Sequence, residues 1–148
     1  MTNESACMND DIWPDTHMFR DYLRLKAEVP SALLLLEMGA FLEAWGADAA
    51  FAAPVLDIAL THRGTFRDGA PIPMCGIPAD SRFASAEGSD VQFIGSTTPY
   101  IKALVRAGFV VAIAVCQPTM PVTRKIEWTV WPDGKWPQGA ANRWINWL

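Results

Sequence analysis

Apolar residues Met18, Phe19, Tyr22, Leu23 and Val29 recur at helical spacing behind Asp15 and Thr16. Either of those two side chains can accept hydrogen bonds from the free N–H groups of a helix start, and Pro30 ends the segment. The period then changes. Residues 32–38 form a run of seven between a proline and a glycine, which suits a buried strand better than a helix even though leucine is a good helix former. Gly39-Ala40 separates this run from residues 41–45, and a glycine at the first turn position supplies the positive φ of a type II′ hairpin. Such a hairpin places Phe41, Glu43 and Trp45 on one face and Leu42 and Ala44 on the other.

Alanine-rich residues 47–53 predict a short helix closed by Pro54, followed by a strand around 58–62 and a turn over 63–69. Residues 71–78 carry Pro71, Pro73 and Pro78, so they predict an edge segment or an extended loop. Residues 79–96 are polar and predict a loop or insertion with one short apolar stretch at 91–94. Thr98 as N-cap and Pro99 at the first helical position open a helix through Ala107, closed by Gly108. Residues 109–116 form a continuous apolar run typical of an interior strand, and 125–130 alternate like a half-buried one.

The elements predict an α/β (α+β) fold, a mixed sheet flanked by about three helices. Residues 1–14 are expected as a loose leader ending at Trp13-Pro14, and 15–135 as one domain. Residues 136–148 are expected as a Trp-rich tail packed on it, burying Trp136, Trp144 and Trp147 rather than offering them as platforms for bases.

At 148 residues and 51% hydrophobic the chain can build one core. Its longest apolar run, 109–115, is far short of the roughly 20 residues of a membrane helix. The first residues are acidic rather than basic, so a cytoplasmic protein with no membrane partner is expected. Cys7, Cys75 and Cys116 form no CxxC pair, and only His17 and His62 could join them around a metal. Buried or idle thiols, no metal and no cofactor are expected.

A net charge of −4 is awkward for a nucleic-acid protein, because non-specific affinity rests on Lys and Arg displacing phosphate counterions. The charge is uneven. Asp10, Asp11 and Asp15 crowd one end, while Arg63, Arg67, Arg82, Lys102, Arg106, Arg124 and Lys125 lie further along. The only Gly-Lys pair, Gly134-Lys135, is followed by Trp136 and completes no phosphate loop, and no G-x-S-x-G elbow occurs. An enzyme is not expected. The alternative would be a metal-dependent nuclease using Glu37, Glu43, Asp48 and Asp57. Its acid-x-Lys pair is missing from the predicted strands, since Asp133-x-Lys135 falls in the tail.

Four blocks in order carry a resemblance: Tyr22 to Ala27, Met38 to Glu43, Leu56 to Gly64 and Pro71 to Pro78. From Thr16 onward the sequence resembles the N-terminal, mismatch-recognition domain I of the MutS family of DNA mismatch-repair proteins. The match returns weakly at 111–117 and 124–134. In that family a Phe-x-Glu motif enters the minor groove at a mispair, the phenylalanine stacking on the base and the glutamate hydrogen-bonding to it. The matching residues here are Phe41 and Glu43. By the same resemblance Met38, Arg63 and Met74 lie beside the groove and support the wedge, although core methionines and a solvated arginine explain them as well.

The resemblance therefore implies a non-catalytic module for double-stranded DNA with a mismatch or small bulge. Ala40, Leu42 and His62 depart from the family's usual residues, and 79–95 is longer than the family's connection. The connector, lever, clamp and ATPase regions are missing from the chain, so binding is expected to be weak. A rival expectation is a protein-interaction or remnant domain that modulates a full-length mismatch-repair protein.

Overall fold

Leu33 to Leu36 lie at the centre of the structure, and their side chains alternate between its two cores. The computed structural model describes residues 10–79 and 95–132. Leu33 and Leu35 enter a cluster with Leu42, Ala44 and the helix residues Ala52 and Leu104. Leu34 and Leu36 enter a second one with Phe19, Tyr22, Leu25 and Trp45. Strand side chains alternate faces, so a run apolar at every position must be covered on both sides.

In chain order the elements are α1 (His17–Glu28), β1 (Leu33–Met38), β2 (Phe41–Trp45), α2 (Ala47–Leu56), β3 (Thr61–Thr65), β4 (Pro71–Pro78), α3 (Thr98–Arg106), β5 (Val111–Cys116) and β6 (Arg124–Val130). The sheet order is β3-β4-β2-β1-β5-β6. Only β1 and β5 run parallel; the other neighbours are antiparallel. Helix α1 covers one face and α2 with α3 the other. This is the mixed sheet flanked by helices that the sequence predicts.

Thr16 caps α1 as expected, its Oγ1 accepting from the Phe19 N–H at 3.5 Å. The β1–β2 hairpin also forms where predicted, Met38 pairing with Phe41 across Gly39-Ala40. Gly39 has φ 62° while Ala40 keeps a negative φ, the combination of a type II′ turn.

Five expectations are corrected. The leader is not loose up to Pro14: Trp13 is buried at 6% exposure and stacks within 5.0 Å of both Tyr22 and Phe66. Its indole fills the space between α1 and the β3–β4 connection, and Arg67 Nε donates to its carbonyl at 3.0 Å. Pro54 does not close α2, which runs on to Leu56 and ends at Asp57 in the left-handed conformation. A proline near the end of a helix removes one late hydrogen bond without preventing the final turn.

The third strand is Thr61–Thr65, across what reads as a turn. All its residues except Arg63 are exposed, so no apolar period marks it. Residues 71–78 are no edge: β4 pairs with β2 and β3. Pro71 and Pro73 lie beyond the stretch Met74 to Ile77 that faces β2, and Pro78 closes its end, so the missing N–H groups spare the middle of the ladder. Helix α3 follows a short 3-10 turn, Gly95–Thr97, with Thr97 at the cap position. Thr97 Oγ1 donates to the Pro78 carbonyl at 2.8 Å instead of capping. The expected apolar stretch at 91–94, the tail at 136–148, Cys7 and Arg82 lie outside the described residues.

Candidate nucleic-acid interface

The hairpin end brings Met38, Phe41, Glu43 and Arg63 together, while Met74 sits at the other end of β2 beside Trp45. Phe41 is the first residue of β2 and lies between Met38 of β1 and Pro78 of β4. It is 51% exposed, whereas Leu42, Ala44 and Trp45 on the same strand are fully buried. Registers place all five candidates on one face of the sheet. Met38 opposes Phe41, Trp45 opposes Met74, Met74 opposes Thr61, and Arg63 stands two residues on from Thr61.

Glu43 is not a solvated edge residue. It is 5% exposed, and three donors hold it. Arg63 grips both oxygens, Nε to Oε1 and Nη2 to Oε2, each at 2.7 Å. Trp45 Nε1 donates to Oε1 at 2.9 Å. A fork-to-fork contact of this kind is among the stronger polar contacts in proteins. The hydrogen bond to Glu43 pushes the Arg63 guanidinium above its ordinary range, and the carboxylate charge adds to that against desolvation.

Arg63 reaches Glu43 across an intervening strand. Glu43 is on β2, Arg63 on β3, and β4 lies between. The β4 residue opposite Glu43 is Gly76; a Cβ there would stand 3.6 Å from Glu43 Cγ and 3.8 Å from Phe41 Cβ. The missing side chain leaves the carboxylate open towards β3. The β3–β4 register shifts between His62 and Thr65, with Gly64 at φ 66°. Bulges re-aim the side chain they carry, and here that side chain is Arg63.

Met38 and Met74 are half-buried and pack against the α1-side cluster. Met38 Sδ accepts from Arg124 Nη2 at 2.9 Å, and Arg124 Nε donates to the Glu37 carbonyl at 2.7 Å. Sequence reading shows Arg124 only as one of the cations away from the acidic end, yet it braces the β1 end and lies 3.9 Å from Asp21. It also missed Trp45 and Gly76 as parts of the Glu43 cage. Alternation placed Trp45 beside Glu43, but no sequence signal marks Gly76.

Charge near the site is largely matched. Arg24 pairs with Asp21 and Glu28, and Arg20 with Asp15. The carboxylates considered for a nuclease do not converge. Glu37 Oε1 accepts from the Cys116 N–H, Asp48 pairs with Lys26, and Asp57 caps α2. Among the described residues no three His, Cys, Asp or Glu side chains are grouped to hold a metal. Nor is any described helix long and apolar enough to cross a membrane. A hollow of about 450 Å³ lies elsewhere, beside α1, lined by Trp13, Asp15, Arg20 and Arg24 among others.

The fold and this hairpin end define a class, a mixed-sheet domain that exposes one aromatic ring beside a caged carboxylate. Residues 16–87 match the family model described as MutS domain I. Similar proteins include the DNA mismatch repair proteins MutS of Roseobacter denitrificans, 47% identical over 69% of this chain and 10% of that protein, and of Cereibacter sphaeroides, 43% identical over 75% and 11%. The MutS of Paracoccus denitrificans is 42% identical over 67% of the chain and 10% of that protein. The chain belongs to the MutS domain I family. It spans about a tenth of the length of these relatives.

Proposed function

We propose that this domain binds double-stranded DNA at a mismatch or small bulge, with Phe41 as the wedge and Glu43 as the polar reader. The observation that carries the reading is the exposure of Phe41, 51% at the tip of a strand otherwise buried. A phenyl ring pushed between base steps costs a few kcal/mol of unstacking, and least where the duplex is already defective. Discrimination then comes from deformability as much as from contact. That its relatives are DNA mismatch repair proteins points the same way. On this reading Met38, paired with Phe41, supports the ring, while Met74 lies further along the same face beside Trp45. The domain is a cytoplasmic, non-catalytic binder that needs no cofactor.

Affinity is modest, because Arg24, Arg63 and Arg124 are engaged with acids of the domain itself. Little phosphate grip remains to offset association entropy, which sets dissociation constants no tighter than about micromolar. The test is fluorescence anisotropy of wild type and Phe41→Ala against matched, G·T and one-base-bulge duplexes at low salt. Preference for the defective duplexes that disappears in the variant supports the reading; binding unchanged by the substitution sinks it.

A second reading rests on Phe51, Val55 and Leu60, which are 60%, 39% and 51% exposed on and after α2. An apolar surface of this kind suits a protein partner such as a full-length mismatch-repair protein. No binding to any duplex, together with a stoichiometric partner in a pull-down, favours it.

A further inference from the structure

We propose that Arg63 is a specificity-determining positioning residue. On an intact duplex it keeps Glu43 occupied, and at a defect it releases the carboxylate to an N–H of the displaced base and turns its guanidinium to a backbone phosphate. The inference rests on the wedge reading above.

As it stands Glu43 can read little. A carboxylate offers about four acceptor sites, and Trp45 and Arg63 fill three of them. The fourth, on Oε2, belongs to a side chain only 7% exposed beneath Arg63, so a donor must withdraw before a base can reach it. Trp45 is fixed, with no exposed surface and rings of Phe19 and Tyr22 at 5.2 and 5.1 Å. Arg63 is the movable partner. Its side chain is 34% exposed, it lies on the outermost strand, and the register breaks beside it.

Separating the two charges without replacement is unfavourable, because a buried carboxylate loses its main counter-charge. The exchange balances only when both receive new partners. A planar guanidinium fork fits phosphate oxygens as well as it fits a carboxylate. A displaced base supplies an N–H that a stacked, paired base withholds. A matched duplex therefore offers Arg63 a phosphate but Glu43 nothing, and the pair stays closed.

The experiment measures affinity against salt concentration for the full chain with matched and one-base-bulge duplexes, in wild type, Arg63→Met and Arg63→Lys. In wild type the bulged duplex shows the steeper salt dependence, by about 0.9 in log–log slope, one extra phosphate contact. Arg63→Met abolishes that difference, because no guanidinium is left to move to a phosphate. Arg63→Lys restores the slope difference, because its point charge can still pass from Glu43 to a phosphate. A purely structural role would weaken both duplexes alike.

Equal slopes in wild type, or a slope difference that survives in Arg63→Met, overturn the proposal. A readout without substitution guards against misfolding of the variants. The Arg63 Nε–H NMR signal of wild type shifts on saturation with bulged duplex and stays in place with matched duplex; an unmoved signal also overturns it. Failure of the wedge reading looks different. Wild type then shows no bulge preference, or Phe41→Ala keeps it, and the exchange falls with that reading. Loss of preference in Phe41→Ala with equal slopes removes the exchange alone.

Discussion

Lys26 of α1 and Asp48 in the first turn of α2 meet at 3.0 Å in the interior, joining helices that pack on opposite faces of the sheet. Asp48 also accepts from the Leu34 N–H at 3.1 Å, and Lys26 donates to the Ala32 carbonyl. The pair thus fastens both helices to the start of β1.

Breaking this pair leaves a buried charge. Burial pushes the Asp48 carboxyl above its ordinary range, with Lys26 and the Leu34 N–H opposing. Lys26→Met is expected to cost about 3 kcal/mol at neutral pH. Because the folded pKa lies above the unfolded one, the folded state holds its proton to higher pH. Asp48's contribution is therefore most favourable at low pH and is lost as pH rises through the raised folded value. The cost of Lys26→Met should shrink in urea unfolding over the window in which pH falls from neutrality toward the ordinary carboxylate range. A constant cost would show that Asp48 does not titrate in that window.

Adjacent residues of β2 should separate function from stability. Phe41→Ala removes a half-exposed ring and is expected to lower stability by about 1 kcal/mol or less. Leu42→Ala empties a fully buried site and should cost about 2–5 kcal/mol. Thermal unfolding of the two variants checks the contrast, and equal losses would mean that the ring of Phe41 is packed after all.

Cys75 should be inert in the native state. It is 2% exposed, and burial, with the charges of Asp48 and Glu43, pushes its thiol up to about 11. At pH 8 that leaves about one thiolate in a thousand. Mass spectrometry after brief alkylation should find Cys75 unmodified until urea is added; prompt modification without denaturant would contradict the packing of β4 on α2.

The turn offers a conformational test. Nothing lies within 4 Å of a Cβ added to Gly39, but its φ is +62°. Gly39→Ala should therefore cost about 1 kcal/mol through backbone strain alone, and Gly39→Asn less. Denaturant midpoints of the pair decide it, and no loss in either would argue against the type II′ turn.

The parts legible in the sequence are those that local chemistry punctuates. Pro30 and Gly39 bracket β1, and alternation sorts β2, so the hairpin and the shared face of Phe41, Glu43 and Trp45 could be read directly. Strand β3 could not, because an exposed strand such as Thr61–Thr65 has no apolar period. Nor could the burial of Trp13, which depends on Tyr22 and Phe66 arriving from distant segments. The Glu43 cage lies between these cases. Its tryptophan is two residues away, but its arginine is 20 residues away and two strands over. Only the pairing of three strands brings it in.

The parallel pairing of Leu33 to Leu36 with Val111 to Ala114 reaches beyond the stretch that the family model covers. The matched residues 16–87 contain β1 to β4, yet β1 finds its other neighbour more than twenty residues past that boundary, at Val111. A chain cut at residue 87 would bare the β5-side edge of β1, with its unpaired N–H and C=O groups, to water, a template for self-association. A recognition motif is portable between proteins only together with the distant strand that closes its sheet.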